Sequence, residues 1–416
     1  MRLSGQFVDP SSYGAYRFSN IPGTIISALT GETCNGMLPE DVFPDPGRKY
    51  DKIVLFVVDA FGWSYFNEFK DKHPLLREIC KHGKATVLAS QFPATTACEI
   101  TTINTGLDVS QHGIYEWYYY EPEAGDIIAP LLYSYGREHK QRDTLKKDTS
   151  LKPSSIYPQV SIHSTLTELG VKCYAFQSND FARSTYSDIV LKGAEVSGFS
   201  TLAEGLYNLA DAIVAEQGKA YYYFYFDKID SLSHQYGPAS GQIQAEIETF
   251  LTTFKQIFLD RIEGKAENVL FVLTADHGQT VIDPKKCIYL NLQYPEFERY
   301  IKRSSNDRLL VPAGSCRDMF LYIKDECLDE ALGFLREKLE SKAVVYKTSE
   351  LVEQGYFMRK EISKALAGRL GNIVILPLKG ECVWWYEKDV YEINFVGHHG
   401  GLTKEEMEIP LLMWEQ

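Results

Sequence analysis

Hydrophobic positions in this chain gather into short unbroken runs separated by amphipathic stretches. The clearest run is Ile53-Val54-Leu55-Phe56-Val57-Val58, which ends in Asp59 and then Ala60-Phe61-Gly62. An uninterrupted apolar segment of strand length predicts a strand covered on both faces, as in a parallel sheet. Further strands are predicted at 84–90, 172–177, 220–226, 268–274 and 409–414. Between them the pattern predicts helices within 63–82, over 202–216 and over 240–262. Strand and helix in alternation predict an α/β fold, a doubly wound and mostly parallel sheet with helices on both faces.

The remaining segments lack that rhythm. Residues 1–50, rich in Gly, Pro, Ser and Asn, read as an irregular arm with one short helix near 24–30, packed on the core. Residues 51–281 and 396–416 form the predicted core, with a polar, aromatic, turn-rich excursion over about 115–165. Over 282–395 the texture changes to strands at 317–323, 343–347 and 373–378 with a helix at 328–340. This predicts a smaller α+β cap inserted before the last strand.

Composition narrows the class. With 44% apolar and 24% charged residues the 416-residue chain is an ordinary globular protein, and its net charge of −13 argues against an extended nucleic-acid surface. No run approaches the ~18 apolar residues of a membrane span, and the start lacks the apolar segment of a secretory signal. The eight Cys show no CxxC spacing, which fits reduced thiols. The expectation is a cytoplasmic protein, without a membrane partner, acting on a small molecule.

Candidate chemistry lies at the predicted strand ends. Asp59 closes the first run, Asp276-His277 follows the strand at 268–274, and His399 lies in a Gly-flanked turn. Asp230 and His234 are four apart, so one helical turn carries both side chains to one side. Asp227 and His398 are neighbouring alternatives; the spacing favours Asp230, and the Gly400-Gly401 that follows favours His399. Asp and neutral His suit Zn²⁺ or Mn²⁺. Six such ligands would hold two ions, and a pair ~4 Å apart can clamp both oxygens of a phosphoryl transfer. Thr96-Ala97-Cys98-Glu99 reads as a capping box that opens a short helix ending at Gly106.

These pieces together resemble the alkaline phosphatase superfamily and, within it, the type I phosphodiesterase/nucleotide pyrophosphatase family. The matching segments are Val57-Val58-Asp59-Ala60-Phe61, Phe92-Pro93-Ala94-Thr95-Thr96 on to Thr105-Gly106, and Gln111-His112-Gly113-Ile114. They continue with Asp230-x-x-x-His234-x-x-Gly237-Pro238, Thr274-Ala275-Asp276-His277-Gly278, and His399-Gly400-Gly401-Leu402 leading to Glu406-Met407-x-Ile409-Pro410-Leu411. The resemblance implies one metal on Asp230, His234 and His399, and a second on Asp59, Asp276 and His277. It implies Thr96 as nucleophile and metal neighbour, with Thr95 as the alternative, and a phosphodiester or pyrophosphate as substrate. It implies zinc before manganese. One feature departs: the family's phosphate-binding Asn, about twenty residues after the nucleophile, has no counterpart in Tyr115-Glu116-Trp117-Tyr118. Tyr115 and Trp117 are the aromatic substrate-contact candidates there. A phosphomonoesterase or phosphomutase is the alternative reading, with Arg137, Arg142 and Arg183 as sources of the extra cationic donors a monoester needs. Cys98 lacks the flanking pattern of a sulfatase nucleophile.

Overall fold

In the computed structural model, which describes residues 5–416, seven strands form one central sheet. They are β1 (Lys52–Val58), β2 (Lys84–Ala89), β3 (Lys172–Ser178), β4 (Glu195–Phe199), β5 (Ala220–Phe226), β6 (Val269–Thr274) and β7 (Glu408–Glu415). Their order is β2-β7-β6-β1-β5-β3-β4. β1 is parallel to both β5 and β6, and β3 is parallel to β4 and β5. Only β7 is reversed, pairing antiparallel with β6 and with β2. The fold is therefore a mixed α/β sheet, mostly parallel and covered by helices.

The aromatic strand β5 shows how both faces are covered. Tyr221 and Tyr223 meet the ring of His163, on the helix Ile162–Glu168. The alternate residues point the other way: Tyr222 donates to Ala212 O of the helix Leu202–Ala215, and Phe226 stacks on Phe250 of the helix Gly241–Thr253. All seven residues of β1 and of β5 are buried, as a strand buried on both faces requires.

Some elements differ from the sequence expectation. Within 63–82 the expected helices are present as Trp63–Phe69 and Pro74–His82, divided where Pro74 begins a new first turn. The helix over 240–262 ends as an α-helix at Thr253 and continues through a π-helical turn, Phe254–Leu259. The excursion holds an unanticipated three-stranded antiparallel sheet, Tyr119–Glu121, Asp126–Ala129 and Ser134–Tyr135, whose strands are too short to leave a periodic signal. Edge strand β4 was also not anticipated, since its residues are mostly half-exposed. The arm contains a helix, Ile21–Thr30, while residues 1–4 of the expected arm lie outside the described residues.

Between β6 and β7 the chain builds a second antiparallel sheet, Met319–Leu321, Ile373–Pro377 and Ala343–Lys347, with the middle range central. The helix Leu328–Lys338 packs on it, and its apolar residues form a separate hydrophobic cluster with Trp384 and Trp385. Arg317 joins this region to the core. Its guanidinium, fully buried, pairs with Glu406 just before β7. No helix among the described residues is long and apolar enough to cross a membrane.

Candidate active site

Strand direction explains why distant residues converge. β1, β5 and β6 are parallel, so Asp59, the helix carrying Asp230, and Asp276-His277 all emerge at one edge of the sheet, where open α/β folds hold their ligands. β2 runs the same way and leads through Ser90 to α1 (Thr96–Thr105). Reversed β7 has its start at this edge, so the preceding His399 segment arrives there too.

His277 is the centre of the cluster. Its Nε2 lies 3.5 Å from Asp59 Oδ1 and 3.5 Å from Asp276 Oδ2. On the other side its ring stacks on that of His399, centroids 3.6 Å apart. Asp230 Oδ1 lies 3.4 Å from His234 Nε2 and 3.8 Å from His399 Nε2. Two trios result, Asp59–Asp276–His277 and Asp230–His277–His399, with His234 beside the second. His398 instead approaches His234 edge-on at 5.4 Å between centroids, and Asp227 pairs with Lys228.

The imidazoles are held in one tautomer. Nδ1 of His234, His277 and His399 faces the carbonyl of Gly397, Gly278 and Ala94 at 2.7, 3.1 and 3.0 Å. A carbonyl only accepts, so each Nδ1 carries the proton and each Nε2 presents a lone pair to the cluster. Thr96 Oγ1, 3.0 Å from His277 Nε2, therefore donates to it.

Thr96 is free for this contact because the cap differs from the expected one. Thr95 is the N-cap, its hydroxyl accepting from Cys98 N and donating to Tyr115 O. Glu99 binds the backbone N and the side-chain Nε2 of Gln91 instead of closing a capping box. Thr96 thus opens the first turn of α1 with its hydroxyl turned to the cluster, at the positive end of the helix dipole.

The donor set fits divalent cations. Asp59 Oδ1 and Asp276 Oδ2 are buried with no hydrogen-bond donor, an arrangement that costs free energy unless a cation faces them. Burial, then the charges of Asp276 and Asp230, push Asp59 well above the usual carboxylate range, and burial pushes Asp276 up to about 6. Burial lowers His277 to about 4 and His399 to about 3, so both are neutral imidazoles near neutral pH, the form that binds metal.

Supporting groups were missed from the sequence. Tyr225 donates its hydroxyl to Asp59 Oδ2, Ala60 N donates to Asp276 Oδ1 at 3.1 Å, and Gln279 Nε2 donates to Asp230 Oδ1 at 2.5 Å. Tyr225 had a signal in retrospect: it lies one residue before the end of β5, in register with Val57. Ala60 takes a left-handed conformation, φ 60°, to present its N–H, a geometry no residue pattern announces.

A cavity of about 560 Å³ opens over the cluster, walled by Thr96, Asp230, His234 and His399 below and by Trp117, Tyr118, Trp384, Tyr391 and Phe395 above. Trp117 is thus at the cavity. Tyr115 is not: it is fully buried, and its hydroxyl donates to Arg369 O. The suggested arginines lie elsewhere, Arg137 paired with Glu387 and Arg183 donating to Val196 O, and Arg142 does not line the cavity.

The model of the type I phosphodiesterase/nucleotide pyrophosphatase family matches residues 53–402. The chain belongs to this family. It is accordingly a hydrolase acting on phosphoester bonds. Its fold is similar to murine ectonucleotide pyrophosphatase/phosphodiesterase 5, solved in an inactive threonine-to-alanine form with AMP, at 17% identity with 87% of each chain covered and a TM-score of 0.65. Human ectonucleotide pyrophosphatase/phosphodiesterase 5 matches at 17% identity, 87% of each chain and a TM-score of 0.63. Phosphonoacetate hydrolase from Sinorhizobium meliloti 1021, in complex with phosphonoformate, matches at 18% identity, 88% of this chain and 91% of that one, with a TM-score of 0.60. At these identities the likeness to the solved structures is one of fold.

Proposed function

We propose that the protein is a metal-dependent phosphodiesterase or nucleotide pyrophosphatase that works through a covalent phospho-threonine on Thr96. The observation that carries this reading is the Thr96 hydroxyl on His277 Nε2, at the junction of two Asp/His trios. Asp59, Asp276 and His277 would hold one ion and Asp230, His234 and His399 the other, zinc before manganese for this N/O donor set. Ions bound there would lower the pKa of the Thr96 hydroxyl and neutralise charge on the phosphoryl group.

Thr96 Oγ releases its proton to solvent and attacks phosphorus in line, and the bond from phosphorus to the leaving oxygen breaks with its electron pair. The leaving alcohol or phosphate takes up a proton. Water then adds to the phospho-threonine, the Oγ–phosphorus bond breaks and Thr96 regains its proton. The N-terminal amides of α1 face the phosphoryl oxygens throughout. The AMP bound to the murine relative supports a ligand in which phosphate is joined to a planar group, and the cavity's aromatic wall suits such a group.

The test is hydrolysis of bis(p-nitrophenyl) phosphate by zinc-loaded protein. Thr96→Ala and Asp276→Ala should each lower kcat/KM by at least about a thousandfold, and acid quench should trap phosphate on Thr96 in the wild type. Full activity in either variant refutes the assignment.

A further inference from the structure

The cavity wall carries a buried acidic pair that the proposed mechanism does not use. Glu116 lines the cavity together with Thr96, yet is only 1% exposed. Its neighbour Tyr115 is tied to the start of α1, since Tyr115 O accepts from Thr95 Oγ1 at 2.9 Å. One carboxylate oxygen, Oε2, accepts from Trp117 N; the other, Oε1, is buried without a donor. Behind it Asp318 has one oxygen, Oδ1, accepting from Ser315 N at 3.1 Å and Ser315 Oγ at 2.5 Å, and its Oδ2 is also buried without a donor. Both carboxyls crowd the backbone next to His399: a Cβ on Gly400 would stand 2.7 Å from Asp318 Oδ1 and 3.1 Å from Glu116 Oε1. A single proton shared between the two carboxyls satisfies both orphaned oxygens and leaves one negative charge.

Apart from the proposed metal ligands, the rest of the wall offers no cation to offset that charge. Among the described residues that line the cavity there is no Lys and no Arg, and a further carboxylate, Glu392, stands at its rim. A phosphoryl group on Thr96 therefore has Glu116 on one side with no basic side chain to neutralise an added charge.

We propose that Glu116, backed by Asp318, is the specificity-determining residue of this site, selecting monoanionic phosphodiesters and disfavouring dianionic monoesters and polyphosphate chains. The proposal rests on the phosphodiesterase reading above and names the substrate class within it. Charge repulsion acts on every phosphoryl ligand but grows with ligand charge, so it separates esters that differ by one charge. Burial raises Glu116 to about 7, although the Trp117 amide and Asp318 both act to lower it. Asp318 is driven well above its usual range by burial and then by the Glu116 charge, in keeping with one proton held between the two carboxyls.

The test measures binding without turnover, in zinc-loaded Thr96→Ala protein at about pH 8, where an aryl monoester is a dianion. Diphenyl phosphate and phenyl phosphate are titrated by calorimetry. With Glu116 intact, phenyl phosphate should bind at least about tenfold more weakly than diphenyl phosphate; equal or reversed affinities overturn the proposal. Glu116→Gln should tighten phenyl phosphate by about tenfold and diphenyl phosphate by less than about threefold. Equal changes for the two ligands, or none, overturn it. Asp318→Asn keeps a hydrogen bond to Glu116 while removing the shared proton, so it should preserve or widen the preference. The same relaxation as in Glu116→Gln would point to packing and overturn the charge argument. Failure of the underlying reading looks different: zinc-loaded wild type would then cleave no aryl diester, whatever these affinities.

Discussion

Replacing Glu406 by Gln should cost the fold about 3–5 kcal/mol, the usual penalty for leaving one member of a buried ion pair unpaired. Both side chains of the Arg317–Glu406 pair are fully buried. Arg317 donates from Nε and Nη2 to the two carboxylate oxygens at 3.0 and 3.1 Å, and from Nη1 to Leu378 O and Glu381 O. Glu406 also accepts from Thr403 Oγ1 at 2.7 Å, Gly401 N at 3.1 Å and Thr403 N at 3.3 Å. Glutamine keeps the shape but sets an NH₂ group among these donors and leaves the guanidinium charge uncompensated. Urea denaturation at neutral pH should show the loss as a lower midpoint at unchanged slope. Arg317→Met with Glu406→Leu should recover only part of it, because Leu378 O and Glu381 O lose their donor. The pH dependence has a definite sign. Burial, the largest single influence, would raise the Glu406 carboxyl, but the Arg317 charge together with the hydrogen bonds from Arg317, Thr403 and Gly401 outweighs it, and the folded-state pKa lies below the ordinary 4.5. The pair's contribution is thus fully present above that value and is lost as pH falls through the lower, folded one. The gap between wild type and Glu406→Gln should be flat from alkaline pH down to about 5 and shrink only below. A gap under about 1 kcal/mol, or one that widens on acidification, would refute the reasoning.

Two further changes probe the cluster. Tyr225→Phe removes the hydroxyl that Asp59 Oδ2 accepts from; zinc affinity, measured by chelator competition, should fall about 10- to 100-fold, and unchanged affinity would show the bond to be incidental. Gly278→Ala puts a Cβ 2.1 Å from Glu405 O and 3.3 Å from Gly62 Cα, so it should destabilise by about 1–3 kcal/mol in a urea melt and weaken zinc binding by shifting His277. Wild-type values in both measurements would contradict the close packing.

The sequence was most legible where one physical constraint acts alone. β1 was readable almost to the residue because burial on both faces demands an unbroken apolar run. Strand direction was not: β7 is apolar like its neighbours, and nothing in its residues distinguishes an antiparallel strand inside a buried sheet. That reversal matters to the site, since it brings the His399 segment, rather than the chain end, to the edge where Asp59 and Asp276 emerge. At the start of α1, Thr95 and Thr96 were interchangeable by local rules, and so the wrong one was given the cap. What separates them is long-range: Tyr115 O takes the Thr95 hydroxyl, and Gln91 draws Glu99 away.

The same limit hid Arg317. In sequence it was the first residue of a cap strand, and its partner lies 89 residues on. Their pairing has a consequence for the chemistry. Glu406 holds Gly401 N and Thr403, and Arg317 holds Glu406, so the turn that follows His399 is tied to the region between β6 and β7. Ser315, two residues before Arg317, also brings its Oγ to 3.1 Å from His399 O. The region between β6 and β7 therefore does more than overhang the cavity: it contacts the His399 turn on one side and, through Asp318, meets Glu116 on the other. Exchange of this region between relatives would then alter the cluster and its charge preference together, because Ser315, Arg317 and Asp318 are nearly consecutive on one turn.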